Sequence, residues 1–126
     1  MTIMARMKYH NRKVKYDGIE FDSRKEMQHY IRLKSMQADG LITELRLQVP
    51  YEIIPAVYEE REIQLKTKTK VVSRCVQRAA YYVADFVYKD ASGNEVVLDT
   101  KGFRTKEYEL KKKMMRAFLG IEIKEI

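Results

Sequence analysis

Apolar side chains recur about one helical turn apart in the first third of the chain. Ser23 stands three residues before Glu26, the spacing of a capping box, in which each side chain bonds the other residue's backbone N–H. Asp39-Gly40 favours a helix end, because glycine readily adopts a left-handed conformation. The pattern therefore predicts a helix that begins after Ser23 and ends at Gly40. Its apolar positions are Met27, Tyr30, Ile31 and Met36, with Ala38 behind them.

The middle of the chain alternates apolar and polar residues with a period of two, which is typical of strands. Pro50 and Pro55 favour an edge or interrupted strand for the first extended segment, because proline has no N–H to donate. An exposed ribbon is expected at roughly 56–76, and the composition of 90–94 predicts a hairpin turn. We expect extended segments over 45–55, 63–71, 78–88 and 95–101.

The last part of the chain predicts a second helix and a short strand. Residues 105–119 keep a helical spacing, Gly120 ends them, and 121–126 alternate as a final strand. The expected inward stripe of this helix is Leu110, Met114, Ala117 and Phe118. The order of elements predicts an α/β (α+β) fold in a single domain over 1–126, with a basic N-terminal arm over about 1–16.

The composition excludes several classes of protein. A chain of 126 residues with 45% hydrophobic residues suits one core. No apolar run approaches the roughly 18–20 residues of a membrane span. A lone Cys75 excludes a disulfide framework within the chain and a multi-cysteine zinc site. We therefore expect a cytoplasmic protein with no membrane partner.

The positive charge is concentrated in three blocks. Lys and Arg total 25 against 18 Asp and Glu, so the net charge is +7, which favours a polyanionic partner. The blocks cover residues 1–16, 66–78 and 101–116, and tyrosines are interleaved with them. This arrangement is typical of a nucleic-acid footprint, although solvated faces that only confer solubility would have the same composition. The expected DNA-binding residues are Arg6, Lys8, Arg12, Lys13, Lys68, Lys70, Arg74, Arg78, Arg104, Lys106 and Lys113.

Two carboxylates and an ammonium group are expected to converge at one end of the predicted hairpin. Asp99 and Lys101 stand two apart on a strand and therefore share a face. Pairing across the turn brings Asp85 close to Asp99. Two adjacent carboxylates need a positive partner, and Mg²⁺ fits because it takes oxygen ligands and keeps several waters. The alternative is that Asp99 and Lys101 form a surface ion pair while Asp85 caps a turn.

These residues resemble the signature of the PD-(D/E)xK nuclease superfamily. Asp85 follows Ala84 at the position of the variable proline, and Asp99-Thr100-Lys101 resembles the D/E-x-K element. Flanking residues over 21–26 and 47–48 resemble those of small phage- and prophage-encoded, resolvase-like endonucleases. The resemblance implies an αβββαβ restriction-endonuclease-like core with a mixed central sheet flanked by helices. It also implies that Glu26 joins the metal site, although the capping box competes for this residue. Gln48 stands where some nucleases of this superfamily place a glutamine in the site, but a plain strand residue is the favoured interpretation.

The expected function is that of a Mg²⁺-dependent endodeoxyribonuclease in which Mn²⁺ substitutes. Asp85, Asp99 and Glu26 are the expected metal ligands, and Lys101 is the further catalytic residue. The substrate is duplex or branched DNA, as for a phage recombination or Holliday-junction-resolving nuclease, and cutting two strands would favour a homodimer. The alternatives are a non-catalytic nucleic-acid-binding module and a transposase or restriction-type nuclease of the same fold.

Overall fold

The computed structural model describes residues 12–100 and 104–126. Arg6, Lys8 and Lys101 therefore lie outside the described residues. Within the described part, no helix is long and apolar enough to cross a membrane. The elements in chain order are β1 (Val14–Tyr16), β2 (Ile19–Phe21), α1 (Arg24–Ala38), β3 (Thr43–Ile54), β4 (Val57–Gln64), β5 (Thr69–Gln77), β6 (Ala80–Lys89), β7 (Glu95–Asp99), α2 (Lys106–Met114), a π-helical turn (Met115–Leu119) and β8 (Ile123–Glu125).

The described residues divide into two compact units. The first unit contains 12–49, 84–100 and 123–126, and the second contains 50–83 and 104–122. Both units contain helix and strand, so the chain is a mixed α+β protein, as the sequence predicts. The single-domain assignment stays a prediction.

A four-stranded mixed sheet has the strand order β3-β6-β7-β8. Strands β6 and β7 pair antiparallel, whereas β7 and β8 pair parallel. Strand β3 lies at one edge of this sheet, as predicted. Pro50 has no backbone N–H to donate, and at an edge it does not interrupt the hydrogen bonds of an inner strand. The predicted turn between β6 and β7 is also confirmed, because the Asp90 carboxylate accepts the backbone N–H groups of Ser92 and Asn94, each at 2.9 Å.

The core of the first unit lies between α1 and the sheet. Helix α1 begins after Ser23 and ends at Asp39, close to the predicted bounds. Phe21 and Tyr30 are in contact, with ring centroids 5.1 Å apart. Strands β1 and β2 form a hairpin whose two turn residues, Asp17 and Gly18, both have positive φ, as a type I′ turn requires. The fully buried cluster comprises Phe21, Tyr30, Leu33, Ile42, Phe86 and Leu98.

The second unit contains a two-stranded ribbon and the second helix. Strands β4 and β5 pair antiparallel from Val57 to Gln77, which confirms the exposed ribbon. The predicted inward stripe of α2 is wrong, because Leu110 is 56% and Phe118 is 62% exposed. The buried residues are instead Tyr108 and Met115, seven positions apart and therefore on the same side of a helix. Sequence spacing could not choose between these two apolar stripes.

Candidate active site

Helix α1 places the Glu26 carboxylate inside the first unit. The backbone N–H of Glu26 donates to Ser23 Oγ at 3.1 Å, which caps the helix. The Glu26 side chain is only 5% exposed and accepts hydrogen bonds from the Gln48 amide and the backbone N–H of Asp22. Capping and a role in the site therefore do not compete here, because the cap uses the backbone of Glu26 and leaves its carboxylate facing Gln48.

Gln48 connects two of the predicted site residues. Its side-chain Nε2 donates to Glu26 Oε1 at 3.0 Å and lies 3.4 Å from Asp85 Oδ1. Gln48 lies in strand β3, and its side chain also links two acids, which the favoured sequence interpretation of a plain strand residue did not include. Spacing gave no warning of this link, because the partners lie 22 and 37 positions away in the chain.

The backbone conformation of Gln48 explains how its side chain reaches α1. Leu47 packs against the core beneath α1, so strict alternation would turn the next side chain away from the helix. Gln48 instead has a φ of 51°, in the left-handed region that residues other than glycine rarely adopt. A residue in this region departs from the extended backbone of a regular strand. Strained backbone of this kind is common at functional sites.

Asp85 lies where strands β6 and β7 stop pairing. The last pair of their ladder on this side is Phe86 with Leu98. Beyond it, Asp85 Oδ2 accepts the backbone N–H of Thr100 at 2.9 Å and the Thr100 hydroxyl at 2.8 Å. This carboxylate therefore holds the residue that follows β7 in place, which is a contact between strands and not the turn cap of the alternative interpretation. Its other oxygen, Oδ1, faces Gln48.

Asp99 is a buried acid next to this group. It is the last residue of β7 and only 2% exposed, so its carboxylate is not a surface group. The alternative of an ion pair with Lys101 involves a residue outside the described part of the chain and stays a prediction. The β6–β7 ladder ends at the pair Phe86–Leu98, and Asp85 and Asp99 are the next residue on each strand beyond that pair. On the other side of β7, the parallel register pairs Asp99 with Glu125 of β8. The sequence pattern does not indicate that Glu125 lies near Asp99, because only the tertiary structure brings the final strand beside β7.

The electrostatics of the site raise the pKa of Glu26 from 4.5 to about 7. Burial is the largest cause, followed by the negative charges of Asp85 and Asp22. The hydrogen bonds from the Asp22 backbone and from Gln48 act in the opposite direction. Near neutral pH, a positive charge beside Glu26 would therefore stabilise its ionised form.

The described acids provide few ligands for a metal ion. No group of three or more His, Cys, Asp or Glu side chains that could hold a metal ion occurs among residues 12–100 and 104–126. The structure brings together Glu26, Gln48, Asp85 and Thr100 by hydrogen bonds, with Asp99 at the next register position. A cation bound here would have few carboxylate ligands, which suits Mg²⁺ because it retains several waters. The assigned roles of these residues stay predictions.

The predicted DNA-binding residues are distributed over both units. Arg12 and Lys13 precede β1 in the first unit, and Lys13 lies 3.6 Å from Glu20. The predicted DNA-binding residues of the ribbon and of helix α2 belong to the second unit. In that unit, Arg74 lies 4.0 Å from Glu59. Arg104 and Lys113 line a cavity of about 260 Å³ beside α2, together with Glu109, Lys112 and Arg116. The structure therefore retains basic surface in each unit.

Comparison with models of protein families gives a match over most of the chain. The model of a family described as "Protein of unknown function (DUF1064)" matches residues 6–124. No curated protein and no solved structure matches the chain.

Proposed function

The chain belongs to the DUF1064 family, and we propose that it is a divalent-metal-dependent endodeoxyribonuclease that hydrolyses phosphodiester bonds in DNA. The observation that carries the proposal is the hydrogen-bonded group of Glu26, Gln48 and Asp85, with buried Asp99 beside it. Burying acids next to one another is costly unless a cation or a proton joins them. Such an arrangement is typical of a functional site and serves no evident purpose in packing.

The order of the elements supports a PD-(D/E)xK type of nuclease. When the β1–β2 and β4–β5 hairpins are set aside, the remaining elements are α1, β3, β6, β7, α2 and β8. This is the αβββαβ order that the resemblance implies. Asp85 on β6 and Asp99 at the end of β7 occupy the strands on which the motif acids are expected.

The chemistry follows from the types of group at this site. A bound Mg²⁺ would polarise the phosphoryl group and lower the pKa of a water molecule. Asp85 and Asp99 would provide its carboxylate oxygens, and Glu26 would join them when ionised. Gln48 and Thr100 hold the Asp85 carboxylate in one orientation. Lys101 would orient the attacking water or stabilise charge on the phosphate while the P–O bond to the leaving oxygen breaks.

A cleavage panel tests this function directly. The purified chain is incubated with single-stranded, duplex, flap and four-way DNA in Mg²⁺, Mn²⁺ or EDTA. We expect cleavage with either metal and none in EDTA. Asp85→Asn should abolish it, whereas Asp39→Asn at the exposed end of α1 should cut like the wild type. If no DNA structure is cut with either metal, the chain is a binding module and the proposal is wrong.

Metal binding is expected to depend on both motif acids. Calorimetric titration with Mn²⁺ should detect binding to the wild type, and Asp85→Asn or Asp99→Asn should weaken it strongly, because each removes a charged oxygen ligand. Asp39→Asn again serves as the control. Unchanged Mn²⁺ binding in both site variants would remove this site from consideration.

Deletion of residues 1–12 should reduce the salt dependence of DNA binding. This segment carries Arg6, Lys8 and Arg12, and β1 begins only at Val14, so the described strands stay complete. Each lost phosphate contact reduces the slope of log affinity against log salt by about 0.9, so three contacts give roughly 2.7. The measurement is fluorescence anisotropy with duplex DNA over a range of salt concentrations. An unchanged slope would mean that the segment does not contact DNA.

A further inference from the structure

A cleft lies at the base of the β4–β5 ribbon in the second unit. Its volume is about 500 Å³, within the range of roughly 300–1,000 Å³ that is common for small-ligand sites. The cleft is lined by Glu52, Tyr58, Cys75, Arg78 and Tyr81, together with two alanines, Ala56 and Ala79. None of these residues belongs to the site around Asp85.

Both tyrosines that line this cleft are exposed to solvent. Tyr58 is 64% and Tyr81 is 45% exposed. Tyr81 alternates along β6 with Tyr82, which is buried and packs against Tyr108 with ring centroids 6.4 Å apart. The β4–β5 register shifts between Val57 and Tyr58, and a bulge of this kind re-aims the side chain that follows it. Packing therefore explains the aromatic ring at Tyr82, but it does not explain the exposed rings at Tyr58 and Tyr81.

Two side-chain hydrogen bonds lie at the base of the ribbon, next to the cleft. The Cys75 thiol donates to the Gln77 carbonyl at 3.2 Å. The Gln77 side-chain amide donates to the Pro55 carbonyl, also at 3.2 Å. Cys75 lies directly opposite Tyr58 in the register, so the two side chains share one face of the ribbon. The wall that carries Tyr58 is thus tied to the segment that precedes β4.

We propose that this cleft binds an unpaired nucleobase of the DNA substrate, stacked on Tyr58 or Tyr81, with the Arg78 guanidinium on a neighbouring phosphate. Aromatic rings that are exposed beside positive charge are the usual platform for single-stranded nucleic acid. The proposal rests on the proposed function for its choice of DNA, and it deepens that function by naming the substrate class. The substrate has single-stranded or branched regions rather than being a continuous duplex.

The chemistry of the cleft lining favours a nucleotide over other planar ligands. The lining contains one basic residue, Arg78, and one acid, Glu52, and Arg74 next to Cys75 lies 4.0 Å from Glu59. A nucleotide combines a flat ring with a phosphate and therefore matches both the tyrosines and the Arg78 guanidinium. Bases inside a duplex are already stacked on one another and cannot enter a cleft without being unpaired. Strand ends, flaps and junctions expose such bases at little cost.

Equilibrium binding of two DNA ligands in EDTA tests the inference without cleavage. Fluorescence anisotropy is measured with a short labelled oligothymidylate and with a blunt duplex of the same length. Tyr58→Leu and Tyr81→Leu keep an apolar side chain but remove the aromatic face. Each ring that stacks on a base should weaken single-strand binding by roughly 5- to 150-fold when replaced. Duplex binding should change by less than about twofold.

Conservative variants separate stacking from other effects. Tyr58→Phe and Tyr81→Phe keep the ring and should bind the oligothymidylate as the wild type does. Phe118→Leu changes an exposed aromatic residue that does not line the cleft and should have no effect. Thermal unfolding of each variant checks that it is folded, as expected for substitutions of exposed side chains.

The outcomes distinguish this inference from the nuclease proposal. If both Leu variants bind single strands as well as the wild type, or lose single-strand and duplex affinity equally, the cleft does not hold an unpaired base. Continued metal-dependent cleavage in that case would leave the nuclease proposal standing. If the Leu variants selectively lose single-strand binding while no DNA is cut, the cleft is a base-binding site on a protein that is not a nuclease.

Discussion

The Lys101→Ala variant is expected to cleave DNA about 10²–10³-fold more slowly than the wild type in a single turnover. A preorganised positive group that acts on the attacking water or the charged phosphate contributes roughly this much to the rate. Lys101 follows the buried Asp99 by two residues, in the position that the D/E-x-K resemblance gives to the catalytic lysine. DNA affinity should fall by no more than the contribution of one phosphate contact.

A matched lysine variant shows whether the effect is specific. Lys111 lies in the same basic block, within α2, and is not among the expected DNA-binding residues, so Lys111→Ala should retain the wild-type cleavage rate. In a pure binding module, Lys101 is one of seventeen basic residues in the three blocks, so both variants would behave alike. Cleavage by Lys101→Ala at the wild-type rate would exclude its catalytic role. Single-turnover cleavage beside equilibrium binding measures both quantities.

The Glu26→Gln variant is expected to be more stable than the wild type at pH 8 but not at pH 4. The pKa of Glu26 is about 7 in the folded protein and near 4.5 when the chain is unfolded. Below pH 4.5 the group is neutral in both states and contributes nothing to the difference. As the pH rises to 7, the unfolded chain releases this proton first, so the folded state loses stability. At about 1.4 kcal/mol per pH unit, the loss reaches roughly 3 kcal/mol.

Urea unfolding in EDTA at several pH values measures this difference. Glutamine cannot ionise, yet its side-chain oxygen can still accept the hydrogen bond from Gln48. The control is Glu52→Gln, which makes the same substitution at an exposed glutamate. A free-energy difference between Glu26→Gln and the wild type that is the same at pH 4 and pH 8 would contradict the prediction. If Glu26 also binds metal, Mn²⁺ at pH 8 should stabilise the wild type more than the variant.

Local signals in the sequence were sufficient for most of the elements. Helix α1, the turn at 90–94 and the exposed ribbon each depend on residues a few positions apart, such as Ser23 and Glu26. Short-range sterics and hydrogen bonding decide such features, and a sequence displays them directly. The inward stripe of α2 was missed because two apolar stripes share that helix and only packing selects Tyr108 and Met115.

The candidate site divides in the same way between sequence and tertiary structure. The sequence by itself determined that Asp85 and Asp99 stand on neighbouring strands of a hairpin, because the turn sets their register. Only the tertiary structure decided that Gln48 joins Glu26 to Asp85 and that Glu125 pairs with Asp99. These links require a left-handed backbone at Gln48 and a parallel strand from the end of the chain. Both depend on packing between distant segments, which no local pattern of residues encodes.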